Sequence, residues 1–249
     1  MSEPNLAAQA EILKLARVLG ADPARFGYLE KVDPHELQKL RAQVTDVLFD
    51  TNLVALQRMA GASKLIPGPI LAKIAEKVFG PLLCARVAGV VEPSRGIDIA
   101  KRLSPVFLAD VAAELDPRRT TEIIAGIPAG MIAGVAGELI RREDWITIGR
   151  FVGHLPDATV SASLRVIPNP ALLRIAFVLD DKSRIENIIG LLPTSRFDGI
   201  VRAAADQDLW SPLLDLLGHL RPETRAKLLA QFAELPAELR ARAPQAMIK

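Results

Sequence analysis

Trp145–Leu155 reads WITIGRFVGHL and Trp210–Leu220 reads WSPLLDLLGHL, and the two stretches lie 65 residues apart. Working outward at that spacing, Ser104–Pro168 falls on Asn169–Ala233 without a gap. Pro105 meets Pro170, Asp116 meets Asp181, Ile123-Ile124 meets Ile188-Ile189 and Pro128 meets Pro193. Both tryptophans of the chain and two of its three histidines stand in register. A unit of this length that recurs in tandem predicts a stacked, α-solenoid-like array, because each unit buries its apolar face only against its neighbours. The expected architecture is all-α. A helical N-terminal region, 1–103, precedes a repeat array, 104–249, made of repeats 104–168 and 169–233 and a C-terminal cap, 234–249.

Half of the 249 residues are hydrophobic but only 4% are aromatic, so the apolar content is Leu, Ile, Val and Ala, the side chains that suit helices. A net charge of +2 with no dense Lys/Arg block argues against a phosphate-tracking surface, and no nucleic-acid partner is expected. The single cysteine, Cys84, excludes an intramolecular disulfide and fits a reducing, cytoplasmic setting. Met1–Asn5 lacks a basic segment leading into an apolar run, so no signal peptide is read there. The longest apolar stretch, Val78–Val91, is interrupted by Arg86 and is too short to span a bilayer.

Helix signals are dense. Residues 5–19 form an amphipathic segment closed by Gly20. Asp33-Pro34-His35-Glu36 has the order of a capped start, with Asp33 accepting and Pro34 at the first helical position. Helices are predicted near 34–49, 51–61, 69–79, 81–91 and 94–102. The first copy should hold helices near 105–115, 117–126, 129–141, 144–154 and 157–166. The second should hold them near 170–179, 182–191, 194–206, 209–220 and 222–233, with a short last helix between Pro236 and Pro244. Ser104, Asp116, Asn169 and Thr194 or Ser195 are the expected caps. Trp145, Ile148, Val152 and Leu155, like Trp210, Leu213, Leu217 and Leu220, step by 3, 4 and 3, which places them on one helix face as core anchors.

His154 and His219 fall on the opposite face from their tryptophans. Shared zinc binding is not expected, because no Cys or HExxH spacing supplies further ligands. A place near a helix C-terminus, where an imidazolium meets the negative end of the dipole, is the simpler account, with Gly153 and Gly218 admitting a neighbouring backbone. The acidic pair Asp180-Asp181 and the cluster Arg141-Arg142-Glu143-Asp144 fall at predicted helix junctions, where capping explains them. His154, His219, Arg150, Asp180 and Asp181 are the candidate interaction surface. No nucleophile elbow, dinucleotide fingerprint, phosphate-binding loop or CxxC pattern occurs, and no cofactor is expected. Lys64–Val91 mixes Leu65, Ile66, Ile70, Leu71, Ile74, Val78, Phe79, Leu82 and Leu83 with Lys64, Lys73, Lys77 and Arg86. That pattern describes either a hairpin packed on the array or an apolar face edged with cations at a membrane surface.

Phe107–Arg119, FLADVAAELDPRR, followed by Glu122–Pro128, EIIAGIP, and echoed by Asn187–Pro193, NIIGLLP, resembles the helical repeats of the cytosolic N-terminal domain of MgtE-type magnesium transporters. The likeness covers about 104–236, and that domain is in turn similar to the helical layers of the flagellar switch protein FliG. The resemblance implies a right-handed superhelix and a regulatory or docking role. The transporter's acidic regulatory surface has no counterpart in a chain of net charge +2, so magnesium sensing through Asp110, Asp116, Asp180 or Asp181 is not carried over.

Together these readings predict a non-enzymatic cytoplasmic scaffold or adaptor that binds a protein partner. The alternative is a binder of a lipid or other apolar ligand, at a membrane surface or in a groove. The positive mean hydropathy leaves room for a homo-oligomer interface.

Overall fold

A computed structural model describes residues 5–244, and among these it is all-helical. The readings made on 1–4 and on the tail of the cap, 245–249, lie outside the described residues. Ahead of the repeat come α1 (Leu6–Leu19), α2 (Pro34–Asp50), α3 (Leu53–Ser63), α4 (Gly68–Ile74), α5 (Gly80–Ala88) and α6 (Pro93–Ala100). The first copy holds α7 (Pro105–Glu114), a 3-10 turn (Pro117–Arg119), α8 (Thr121–Gly126), α9 (Ala129–Arg141), α10 (Trp145–Val152) and α11 (Asp157–Leu164). The second holds α12 (Asn169–Phe177), a 3-10 turn (Lys182–Arg184), α13 (Ile185–Gly190), α14 (Arg196–Asp206), α15 (Trp210–Gly218) and α16 (Pro222–Ala233), before α17 (Ala237–Arg240). The succession of elements is the same in both stretches, and the 3-10 turns, α10 and α15, and α11 and α16 begin 65 residues apart.

Local chemistry sets these boundaries. Asn5 Oδ1 accepts from Ala8 N–H at the start of α1, and Gly20 closes that helix at φ 62°, where a Cβ would be strained. Asp33 Oδ1 accepts from the N–H groups of His35 and Glu36 at 2.9 and 3.3 Å. Ser104 and Asp116 cap as expected, accepting from Phe107 and Arg118 N–H. Two expected caps are corrected. Asn169 is the first residue of α12, and its Oδ1 accepts from the Arg196 guanidinium, Nε at 3.0 Å, tying α12 to α14. Ser195 precedes α14 without a side-chain cap. Pro23–Leu29 forms a 3-10 segment that the sequence did not announce, because its side chains lack a 3.6-residue period. A π-helical turn, Ala75–Phe79, continues α4 where an unbroken helix was expected.

The chain folds as two compact units. The first comprises the described parts of Met1–Gln38, Ile148–Gly153 and Ile167–Lys249. The second comprises Lys39–Thr147 and His154–Val166, and the boundary read at 103/104 falls inside it. In the first unit α12 packs on α14 and α15, α14 on α16, and α1 on α15. Its core holds Leu173, Ile200, Val201, Ala204, Leu213 and Leu228, and a satellite cluster joins Ala8, Ile12 and Leu37 to Phe26, Leu29 and Val32. In the second unit α7 packs on α5 and α9, and α9 on α11, around Ala72, Ala75, Ala100, Leu103 and Leu108. Helices of eight to fourteen residues are marginal alone in water, so these contacts hold them.

Trp210 is 3% exposed and meets Phe232 edge-on, with centroids 6.0 Å apart; Leu213, Leu217 and Leu220 are buried with it. In the first copy Ile148 and Leu155 are buried, but Trp145 and Val152 are only half-buried. The anchoring role expected of both tryptophans therefore holds in full for Trp210 alone. Arg142 ties α9 to α7 through Asp110, while Arg141 and Arg142 both bond Glu138 and hold its carboxyl at about 2. Arg119 lies 4.0 Å over the Phe49 ring and bonds Asp46, joining the 3-10 turn to α2 within the second unit.

Two tests follow from this packing. A Cβ built at Gly149 would stand 2.8 Å from the Val178 carbonyl oxygen, whereas one at Gly218 meets nothing within 4 Å. Gly149→Ala should therefore cost about 1–3 kcal/mol in urea unfolding, and Gly218→Ala should cost nothing or stabilise slightly. Glu138 titrates lower folded than unfolded, so its contribution is complete above the ordinary value of 4.5 and is lost as pH falls toward 2. Glu138→Gln should flatten the pH dependence of unfolding in that window and leave the slope between pH 6 and 8 unchanged.

Candidate functional site

Charge is drawn inside the first unit at the end of α12. Lys14, on α1, is 1% exposed, and its ammonium contacts Glu11 and reaches Asp180 Oδ1 at 2.9 Å. Gln38 donates to the Asp180 carbonyl. Two residues on, Lys182 Nζ donates to the carbonyls of Ala176 and Phe177, each at 2.7 Å, and to Asp215 Oδ2 at 2.5 Å. These are the last carbonyls of α12, where a cation also meets the negative end of the helix dipole. Desolvation lowers the pKa of Lys182, Asp215 opposes that shift, and the nearby charges of Lys14 and Glu11 act on it in opposite senses. His219 Nε2 stands 3.8 Å from the other Asp215 oxygen. Two lysines thus sit among three carboxylates, with their protons committed to named acceptors. Chemically the arrangement neutralises buried charge and fixes α1 against α12 and α15.

The repeat register shows where this network came from. Subtracting 65 from Asp180, Lys182 and Asp215 gives Leu115, Pro117 and Arg150. Each position that receives charge in the second copy is apolar or oppositely charged in the first. That divergence, together with the i,i+3 pair Glu11/Lys14 among the buried Ala8, Ile12 and Leu15 of α1, was the signal available in the sequence.

Of the five residues singled out from sequence, Arg150, Asp180, Asp181 and His219 lie in the first unit, where Asp180 N–H donates to the Gly149 carbonyl at 3.5 Å, beside Arg150. His154 lies in the second unit, past the end of α10, with Nδ1 3.1 Å from Thr121 Oγ1. The Thr121 hydroxyl is directed at the Pro117 carbonyl, which leaves the imidazole to donate to Thr121. His219 is the C-cap of α15, beside Asp215 in the first unit. Arg150 sits on α10 and is half-buried. Asp181 caps its own 3-10 turn through Ser183 N–H at 3.1 Å. Asp180 is turned to Lys14. The expectation that Gly153 and Gly218 admit a neighbouring backbone is corrected: Gly153 has only the Asp181 Cβ at an ordinary 3.6 Å, Gly218 is open, and the close approach occurs at Gly149. Asp110 and Asp116 bond Arg142 and Arg118. Among the described residues no group of three or more His, Cys, Asp or Glu is placed to hold a metal ion.

A different feature stands out in the second unit. Val47, Leu48, Val54, Leu65, Ile70, Val78, Phe79 and Leu82, all within 47–82, are exposed, Leu65 by 87% and Val78 by 72%. On α3, Val54, Arg58 and Gly61 step by 4 and 3 along an exposed stripe that runs on to Leu65. Helix α3 packs on α5, and α5 on the π turn, so these side chains belong to one local body. Arg58, Lys64, Lys73 and Lys77 are exposed among them. Cys84, behind this surface, is half-buried, and burial pushes its thiol up to about 11, so it is protonated at neutral pH.

No family model, no curated protein and no solved structure matches the chain. Among the described residues no helix is long and apolar enough to cross a membrane.

If Lys14 is what neutralises the carboxylates around it, Lys14→Met should destabilise the chain by about 3–5 kcal/mol in urea unfolding. Adding Asp180→Asn should recover part of that loss. A loss under about 1 kcal/mol would show that the tie is energetically idle.

Proposed function

We propose that the chain is a docking protein, a helical-repeat scaffold or adaptor that acts through a surface rather than by transforming a substrate. The observation that carries this reading is the group of large apolar side chains left exposed between residues 47 and 82, in a unit that buries other large apolar side chains, such as Leu71, Leu108 and Ile124. Exposing Leu65 and Val78 is unfavourable unless something covers them part of the time. The histidines and aspartates singled out from sequence support it too, since their contacts are those of caps and ties. Stacked short helices present extended surfaces, and the resemblance to the transporter's cytosolic repeats points the same way. A cytoplasmic setting accords with a single half-buried thiol.

The test is fractionation of the source extract with the tagged full-length chain and a Leu65→Ser/Val78→Ser variant. The wild type should enter a defined complex or a membrane fraction, and the variant should lose that association with its thermal melt unchanged. An association indifferent to these substitutions, or turnover of a metabolite by the purified chain, would overturn the reading.

A further inference from the structure

We propose that the occupant of the exposed 47–82 surface is an anionic phospholipid bilayer, on which α3, the α4–π segment and the start of α5 lie flat. This rests on the docking reading above and names its partner.

Charge complementarity comes first. Residues 47–82 carry four cations and two acids, Asp50 and Glu76, in a chain whose net charge is only +2, and Asp50 stands 3.4 Å from the Arg119 guanidinium. Glu76 is already engaged: its Oε1 accepts from Ser104 N–H at 2.8 Å, at the start of α7, and this bond lowers its pKa. Glu92, the next carboxylate in the chain, caps α6 through Ser94 and Arg95 N–H and lies close to Lys64. Arg86 is spent on the Leu48 carbonyl at 3.1 Å. The cations left at the edge are Arg58, Lys64, Lys73 and Lys77, all exposed.

The backbone supplies a second, independent observation. In an uninterrupted α-helix Val78 would fall within about 20° of Leu71, seven residues earlier, on the face that Leu71 and Ala75 bury. The π turn at Ala75–Phe79 advances less per residue than an α-helix and so breaks that register, and Val78 within it is exposed. Gly80, at φ 74°, then permits the immediate restart of α5 with Leu82 outward. The helix irregularity thus coincides with the exposed Val78 and Phe79, beside Lys77.

Composition separates a bilayer from a protein partner. Protein interfaces are enriched in Trp, Tyr and Arg and depleted in Lys. Here the apolar residues are Leu, Ile, Val and one Phe, and three of the four edge cations are Lys, whose long stems extend an apolar face while the ammonium reaches a headgroup.

The experiment is co-sedimentation of the full-length chain with vesicles of phosphatidylcholine alone and of an equal mixture with phosphatidylglycerol, at low and raised salt. The chain should bind the anionic vesicles and hardly bind the neutral ones. Raised salt should weaken binding, and Lys64→Gln/Lys73→Gln/Lys77→Gln should weaken it about a hundredfold. Leu65→Ser/Val78→Ser should also abolish it, with circular dichroism confirming that both variants fold. Failure to bind anionic vesicles at low salt, or equal binding to both vesicles that ignores the lysine changes, overturns the proposal. So does a dimer in sedimentation equilibrium that Leu65→Ser dissociates, since a second copy then covers the face. If vesicles fail while Leu65→Ser/Val78→Ser still removes a protein complex from the extract, the docking reading stands and only the lipid assignment falls. If the extract association ignores those residues, the docking reading itself fails.

Discussion

A fully buried ammonium has to be neutralised, and much of the first unit is arranged around that requirement. Lys14 lies where water does not reach it, flanked by Glu11 on its own helix and Asp180 at the end of α12. Removing such a charge from water costs several kcal/mol, which carboxylates return only when geometry and hydrogen bonds are both good. The net gain from the pair is therefore small, but its absence would be severe. What such a tie supplies is specificity of placement. The corresponding positions of the first copy offer Leu115, Pro117 and Arg150, so they lack the Asp180 carboxylate that Lys14 meets and the Lys182–Asp215 pair. Helix α1 is thus directed to the second copy by chemistry the first copy lacks.

The second unit balances charge and apolar surface differently. Its ion pairs, Arg142 with Asp110 and Glu138, and Arg118 and Arg119 with Asp46, stay partly exposed and contribute modestly. Its interior mixes Ala72, Ala75 and Ala100 with larger side chains such as Leu103, Leu108, Ile123, Ile124 and Leu139. Apolar side chains that could have enlarged this core, Leu65, Val78 and Val54, are outside instead.

Much of the helical plan was legible because its signals are local. Gly20, Asp33-Pro34, Ser104-Pro105 and Asp116-Pro117 act within a turn of themselves, so the sequence order states the boundary directly. The 65-residue spacing carried the element order for the same reason: identical local signals recur. Signals acting across the chain were illegible. Asn169 resembles a cap until Arg196, 27 residues later, claims its side chain. Asp180 resembles a junction residue until Lys14, 166 residues earlier, is brought beside it. The π turn that holds Val78 has no composition of its own.

The two copies show why aligned residues were poor guides to a site. Positions that agree between them, such as Gly153-His154-Leu155 and Gly218-His219-Leu220, agree in helix-ending geometry while their contacts differ, Thr121 for one imidazole and Asp215 for the other. Agreement between repeats records what stacking requires of both. Individual roles appear where the register breaks, as at Leu115/Asp180, Pro117/Lys182 and Arg150/Asp215, or where the repeat has no counterpart at all, as in 47–82. A side chain that two copies share is explained by their common packing, so the chemistry peculiar to this protein is to be sought in the residues that they do not share.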